Sequence, residues 1–282
     1  MNFINRSLNG IKKFAIDFHN VFWHQDMLVL PGHLAFFFFL STVPIITMIC
    51  YFAASFDISI ELITDFITNR FGHDIANMLI PLVESDFSFG YFLTLMLGFF
   101  VASNGASSII VSSNKIYGIK DSGFLKRRLK AIIMTFIIVV LFMFILLMPL
   151  FGSSIIEMIK YLDLSNNTLN IISVSINIIS GPVSWFVIFF MLKFIYTMAP
   201  DKKIPSSYTT YGALFTSISW IIVTQLYSVY IGRFAHYDVF YGGLANIVIL
   251  MLWVYLLAYT FVIGIGLNNK LELDKTGNMP VV

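Results

Sequence analysis

The stretch AIIMTFIIVVLFMFILLMPLF, residues 131–151, carries no charged side chain along its whole length. A hydrocarbon core about 30 Å thick is crossed by about 20 apolar residues of helix. Inside lipid each backbone N–H and C=O needs a partner from the chain itself, which favours a helix for such a segment. Five further stretches share this length and character: 33–55, 90–113, 171–198, 207–231 and 243–267. Composition agrees, with 58% hydrophobic and 11% charged residues, against about 45–50% and about 25% in soluble domains. The expected fold is all-α: a single polytopic membrane domain over residues 1–282, with six transmembrane helices.

The cations fix how the chain is threaded. With a cytoplasmic N-terminus and six alternating spans, the inner segments hold Arg6, Lys12, Lys13, Lys115, Lys120, Lys126, Arg127, Arg128, Lys130, Lys193, Lys202, Lys203, Lys270 and Lys275. That is 14 of the 17 Lys and Arg, leaving Arg70, Lys160 and Arg233 outside. Lys and Arg concentrate in cytoplasmic loops, so both termini are expected in the cytoplasm.

Three segments outside the spans have patterns of their own. In residues 1–27, Ile4, Leu8, Ile11, Ala15, Phe18 and Phe22 recur every three or four residues. This is an amphipathic interfacial helix, lying on the membrane or docking on the bundle, with Pro31-Gly32 breaking it before the first span. Residues 57–89 are acidic and carry the stripe Ile60, Ile63, Ile67 and Phe71. They read as an extracytoplasmic helical hairpin capping the bundle. Residues 152–170 read as a smaller helix followed by a polar turn at Ser165-Asn166-Asn167-Thr168.

Polar groups inside the spans are the candidate functional residues. Asn104, Ser107, Ser108, Ser112 and Lys115 share one face of the second span, and Gly98, Ala102 and Ala106 form a small-residue face. Two readings stand: packing between helices, or a polar path. Asn104 weighs most, because an amide in hydrocarbon requires partners or water. Pro44 and Pro182 interrupt the middles of the first and fourth spans. Interruptions at matching places in two halves point to a transporter site between inverted repeats, although membrane helices also carry proline for other reasons.

Gln225 and His33 are the other polar candidates. A histidine at a span end is expected to satisfy a neighbouring carbonyl. No Asp, Glu, Lys or Arg lies in the central part of a span, which argues against a charge-relay pump. Lys126, Arg127, Arg128 and Lys130 pin the topology or grip anionic headgroups. Arg233, in an aromatic loop with His236 and Asp238, is a second candidate for an anion.

Enzymatic chemistry finds little footing. Cys50 is the single cysteine, so an intrachain disulfide is excluded. The histidines His19, His24, His33, His73 and His236 are scattered, without an H-x-H or H-x-x-x-H pair, and no G-x-x-x-x-G-K-[ST] loop occurs. No catalytic, metal or cofactor-binding residue is expected, and nucleic acid is not an expected partner.

Several segments in order carry a resemblance: LAFFFFLSTVPIITMI, SNGASSIIVSSNKIYGI, FLKRRLK, YTMAPDKKIP, Tyr211-Gly212-Ala213, and YSVYIGRFAHYDVFYGGLANIVILMLWVYLLAYTFVIGIGLNN. In these the chain resembles the YihY/virulence factor BrkB family, formerly labelled ribonuclease BN. The most specific positions are Tyr230, Phe234, Tyr241-Gly242, Trp253 and Gly266.

The resemblance implies a multi-pass protein of the bacterial inner or plasma membrane, with a role in transport of lipids or small solutes. The family often shows an Arg shortly after the Ser-Ala-Ser of span two. Here SNGASS supplies no basic side chain, so a charge is not expected at that place. The leading function is a transporter or flippase of lipid or small solute. The alternative is a non-transporting organiser docking a membrane-protein partner, or a second copy, through residues 57–89 or the N-terminal helix. Membrane lipids are partners in either case.

Overall fold

Every residue from Phe261 to Asn268 is buried, so that stretch of helix is enclosed on all sides. It belongs to α6 (Leu244–Thr276). The computed structural model describes residues 16–19, 21–23, 25–55, 68, 89–141, 166–234 and 244–277. The other long helices are α1 (Leu30–Ser55), α2 (Phe89–Ile116), α3 (residues 124–141), α4 (Asn166–Met198) and α5 (Thr210–Phe234). All regular structure among the described residues is helical. Among the described residues four windows are long and apolar enough to cross a bilayer: Met96–Ile116, Gly181–Met198, Thr210–Tyr230 and Ile247–Thr276. The chain is an all-α membrane protein.

The helix α6 packs on α5, α1 and α2, while α1 also lies along α2 and α4 along α5. A close crossing joins α5 to α6. A methyl group on Gly212 would stand 2.2 Å from the Gly264 carbonyl oxygen, and one on Gly264 would stand 2.3 Å from both Thr216 Oγ1 and Tyr196 Oη. Two glycines facing each other let the backbones approach to a distance no larger residue permits. The Asn268 side chain closes the crossing by accepting a 2.8 Å hydrogen bond from the Gly212 amide.

Beside this crossing the buried Tyr196 hydroxyl shares a 2.7 Å hydrogen bond with Thr216 and donates to the Phe261 carbonyl at 2.9 Å. One side chain thereby ties α4 to α5 and α6. Interhelical hydrogen bonds in membranes contribute about 0.6 kcal/mol on average and about 1.7 at most. Tyr196→Phe is expected to lower stability by about 1–2 kcal/mol, measurable as a smaller unfolding free energy in detergent titration.

Along the α1–α2 seam small residues pack around the Ser41 hydroxyl. Ser41 donates from Oγ to the Ala102 carbonyl at 3.0 Å, and Gly98 lies against Pro44 with Gly105 against Ser41. The small-residue face read from the sequence is a packing face, with Gly105 added to it.

Two boundaries differ from expectation. Pro31-Gly32 does not end a helix, because it lies in the first turn of α1, and the break is the 3-10 turn Gln25–Leu28 ahead of it. Proline fits a first turn, where its missing N–H would have no intrahelical partner. The polar turn expected at residues 165–168 instead lies at the start of α4, which begins at Asn166. Asn and Ser suit helix starts as well as turns, since their side chains bond exposed N–H groups in both.

The described part of the N-terminal segment docks on the bundle. Val21 sits over Gly266, Phe18 over Phe215 and Phe22 over Tyr259. The expected cap at 57–89, apart from residues 68 and 89, lies outside the described residues, as do the first fifteen residues and 142–165.

Candidate functional site

The polar stripe of α2 divides into groups with separate duties. Ser112 is fully buried with no hydrogen-bond partner for its hydroxyl among the described residues, and Lys115 is exposed at the helix end. Ser107 is half-buried. Ser108 pairs with His33 Nδ1 of α1 at 2.9 Å, and the His33 ring lies edge-on to Phe37. The histidine therefore bonds a hydroxyl on another helix rather than a carbonyl.

One turn away, the Asn104 side-chain oxygen accepts a 2.7 Å hydrogen bond from Arg128 Nη1. Nη2 of the same guanidinium donates to the Phe100 carbonyl at 2.7 Å, and its carbon lies 3.5 Å from the Phe100 ring centroid. Such a cation over an aromatic face is attracted by the ring quadrupole. The loop between the helices makes this contact by reversing the chain at Gly118 and Gly123, both with positive φ (61° and 94°), a backbone state that glycine adopts without a Cβ penalty. Arg128, in the second turn of α3, then meets α2 well inside the membrane window.

Asn104 lies eight residues from Met96 and twelve from Ile116 in that window. At 1.5 Å per residue it is about 18 Å from the Ile116 end. A basic group thus does reach the neighbourhood of SNGASS, contrary to expectation, and it arrives from the next helix. The central part of α2 has no charge of its own, yet the fold brings one beside it.

The remaining basic residues of the cluster diverge. Lys126 is exposed, and Arg127 pairs with Asp121. Lys130 points inward, where its ammonium donates 2.8 Å bonds to the carbonyls of Ala199 and Pro200 and to Asp201 Oδ1. Asp201 also accepts from Asn114 Nδ2 at 2.8 Å and from the Ser122 amide at 3.2 Å, while its own amide donates to Asn114 Oδ1. This clasp joins the ends of α2 and α4 to the loop before α3 and to α3 itself.

Burial alone would raise the Asp201 carboxyl pKa. The bonds from Lys130, Ser122 and Asn114, with the Lys130 charge, outweigh it and hold the carboxyl well below the usual carboxylate range. Lys202 pairs with Glu272 at 2.8 Å, and Asn269 bonds the Ile116 carbonyl, so α6 joins the same end of the bundle. Burial pushes the Tyr117 phenol up, and the Glu272 charge adds to it. Sequence reading missed Asp201 as a hub. Its available signal was a lone acid in an inner segment otherwise marked by Lys193, Lys202 and Lys203.

The other candidates do not converge on Asn104. Pro44 packs against Gly98, whereas Pro182 is exposed on α4, so the two prolines occupy unlike surroundings. Gln225 is exposed on α5. The side chain of Arg233, with His236 and Asp238, lies outside the described residues. Among the described residues no group of three or more His, Cys, Asp or Glu side chains comes together to hold a metal.

Known proteins place the chain in a family. A family model described as "Virulence factor BrkB" matches residues 18–280. The ribonuclease-like protein YfkH of Bacillus subtilis is 32% identical over 176 residues, 62% of each chain. The UPF0761 membrane protein IL2447 of Idiomarina loihiensis is 35% identical over 96 residues, 32% of this chain and 33% of that one. These matches span less than two thirds of either relative's length. A UPF0761 membrane protein of Vibrio atlanticus is 25% identical over 269 residues, covering 93% of this chain and 83% of its own. No solved structure matches. With a family match over nearly its whole length and a bundle of long apolar helices, the chain belongs to the virulence factor BrkB family of membrane proteins.

Proposed function

We propose that this protein is a transporter or flippase of a lipid or small solute in the bacterial inner membrane, with both termini in the cytoplasm. The observation that carries the reading is the guanidinium of Arg128, seated on Asn104 and Phe100 at mid-depth of α2. Charged groups at such a depth are costly and mark substrate pathways in membrane proteins. A protein serving only as a scaffold gains nothing from holding a cation there. The inner clasp of Lys130, Asp201 and Asn114 supplies a firm cytoplasmic end against which such a pathway can work.

The test is a vesicle assay with purified full-length protein, following fluorescent lipid scrambling and solute flux. Wild type is expected to exceed empty vesicles, and Asn104→Leu to lose about tenfold of the excess, since it strips Arg128 of its side-chain partner. Flux equal to empty vesicles across lipids and solutes would sink the reading. The non-transporting organiser would then lead.

A further inference from the structure

We propose that the face of α2 between its contacts with α1 and α3 forms a seam that binds the headgroup of a net-anionic phospholipid, held by Arg128 and His33 and backed by Asn104 and Ser108. The inference rests on the transport reading and names the substrate class for that site.

Among the described residues no carboxylate pairs with Arg128; its contacts are an amide oxygen, a backbone carbonyl and an aromatic face. A guanidinium has five N–H groups, and two N–H directions are taken up by Asn104 and Phe100. The Nε–H is buried and has no partner among the described residues. A buried donor without an acceptor is costly, and more so when charged. An anion in the seam would satisfy both the charge and the donor. The planar fork suits phosphate oxygens, which it can bind in pairs.

His33 supplies the second side of the site. Asn104 and Ser108 are four residues apart on one helix face, so the Arg128 and His33 contacts lie about one turn, or about 6 Å, apart along α2. A phosphate between two hydrogen bonds of about 2.8 Å spans such a gap. With Ser108 donating to Nδ1, the neutral imidazole carries its proton on Nε2 and presents a donor. Among the described residues Nε2 has no partner, and His33 is exposed.

The walls select an amphiphile over a free ion. Leu97, Phe100 and Val101 of α2 are exposed on the outer side of Asn104, Leu129 is exposed on α3, and Phe36 and Leu40 are exposed on α1 beside His33. Acyl chains can lie on this apolar surface while the headgroup meets Arg128. A hydrated ion would have to enter against it.

The test uses full-length protein in detergent and native mass spectrometry, with dioleoylphosphatidylglycerol, dioleoylphosphatidylcholine and inorganic phosphate as probes. Wild type should retain the glycerol lipid about tenfold over the choline lipid. Arg128→Gln should erase that preference, His33→Gln reduce it about threefold, and Arg128→Lys fall between, because a point charge lacks the fork. Equal retention of the two lipids by wild type overturns the site. So does unchanged preference in a folded Arg128→Gln. If Arg128→Gln fails to fold, unchanged preference in both Arg128→Lys and His33→Gln overturns it equally. Displacement of the glycerol lipid by millimolar phosphate assigns the seam to the free ion and overturns the lipid. Selective retention with no flux in vesicles supports the headgroup site while the transport reading falls. Flux with no headgroup preference overturns the site while transport stands.

Discussion

Gly212→Ala is expected to separate α5 from α6 and destabilise the bundle by about 3 kcal/mol or more. The added methyl would lie 2.2 Å from the Gly264 carbonyl oxygen and 2.5 Å from Asn268 Nδ2. The first obstacle is backbone, so no rotamer relieves it and the helices themselves must move. Overpacking in a tight core costs about 1–3 kcal/mol, and here the Gly212–Asn268 hydrogen bond is strained as well. The control is Gly181→Ala, where nothing stands within 4 Å of the new methyl. That change should be neutral or stabilising by about 0.5–1 kcal/mol, as alanine favours helix over glycine. Denaturant titration in detergent separates the two, and equal stability of Gly212→Ala and wild type would refute the close crossing.

Removing the Asp201 carboxylate has the second large effect. Its side chain is only 6% exposed and Lys130 is 21% exposed, so neither charge is freely solvated. Deleting one partner of such a pair costs about 3–5 kcal/mol when fully buried. The partial exposure of Lys130 brings Asp201→Ala nearer about 3. Asn114 and the Ser122 amide also lose their acceptor.

The pH dependence follows from the direction of the shift. The folded carboxyl is depressed relative to the unfolded one, so folding binds fewer protons there. The stabilisation is complete above the unfolded value of about 3.9. It is lost as pH falls below that value toward the depressed one. Wild-type unfolding free energy should therefore drop between about pH 4 and lower pH by more than that of Asp201→Asn. Parallel profiles for the two proteins would deny Asp201 this role.

The helices were legible in the sequence because lipid imposes a length and leaves the backbone few alternatives. Residues 90–113 were expected as a span and α2 covers them, as α5 covers nearly all of 207–231 and α6 nearly all of 243–267. The small face of α2 was visible too, since spacing by three and four survives in the fold unchanged. Boundaries set by polar residues were less legible. Pro31-Gly32 and Asn166 have side chains or backbones that serve a turn and a helix start equally well, and only neighbouring structure decides between them.

The sequence by itself determined a helical membrane protein and the helix face that carries Asn104 and Ser108, because hydropathy and period are properties of one chain segment at a time. The tertiary structure alone decided that Arg128 leaves the basic cluster for Asn104, that Lys130 turns to Asp201 and that His33 finds Ser108. Neighbours in sequence part company there because Arg128 and Lys130 project from different sides of one helix. Which partner each side chain meets depends on the glycine-turned loop and on helix placement that no single segment encodes.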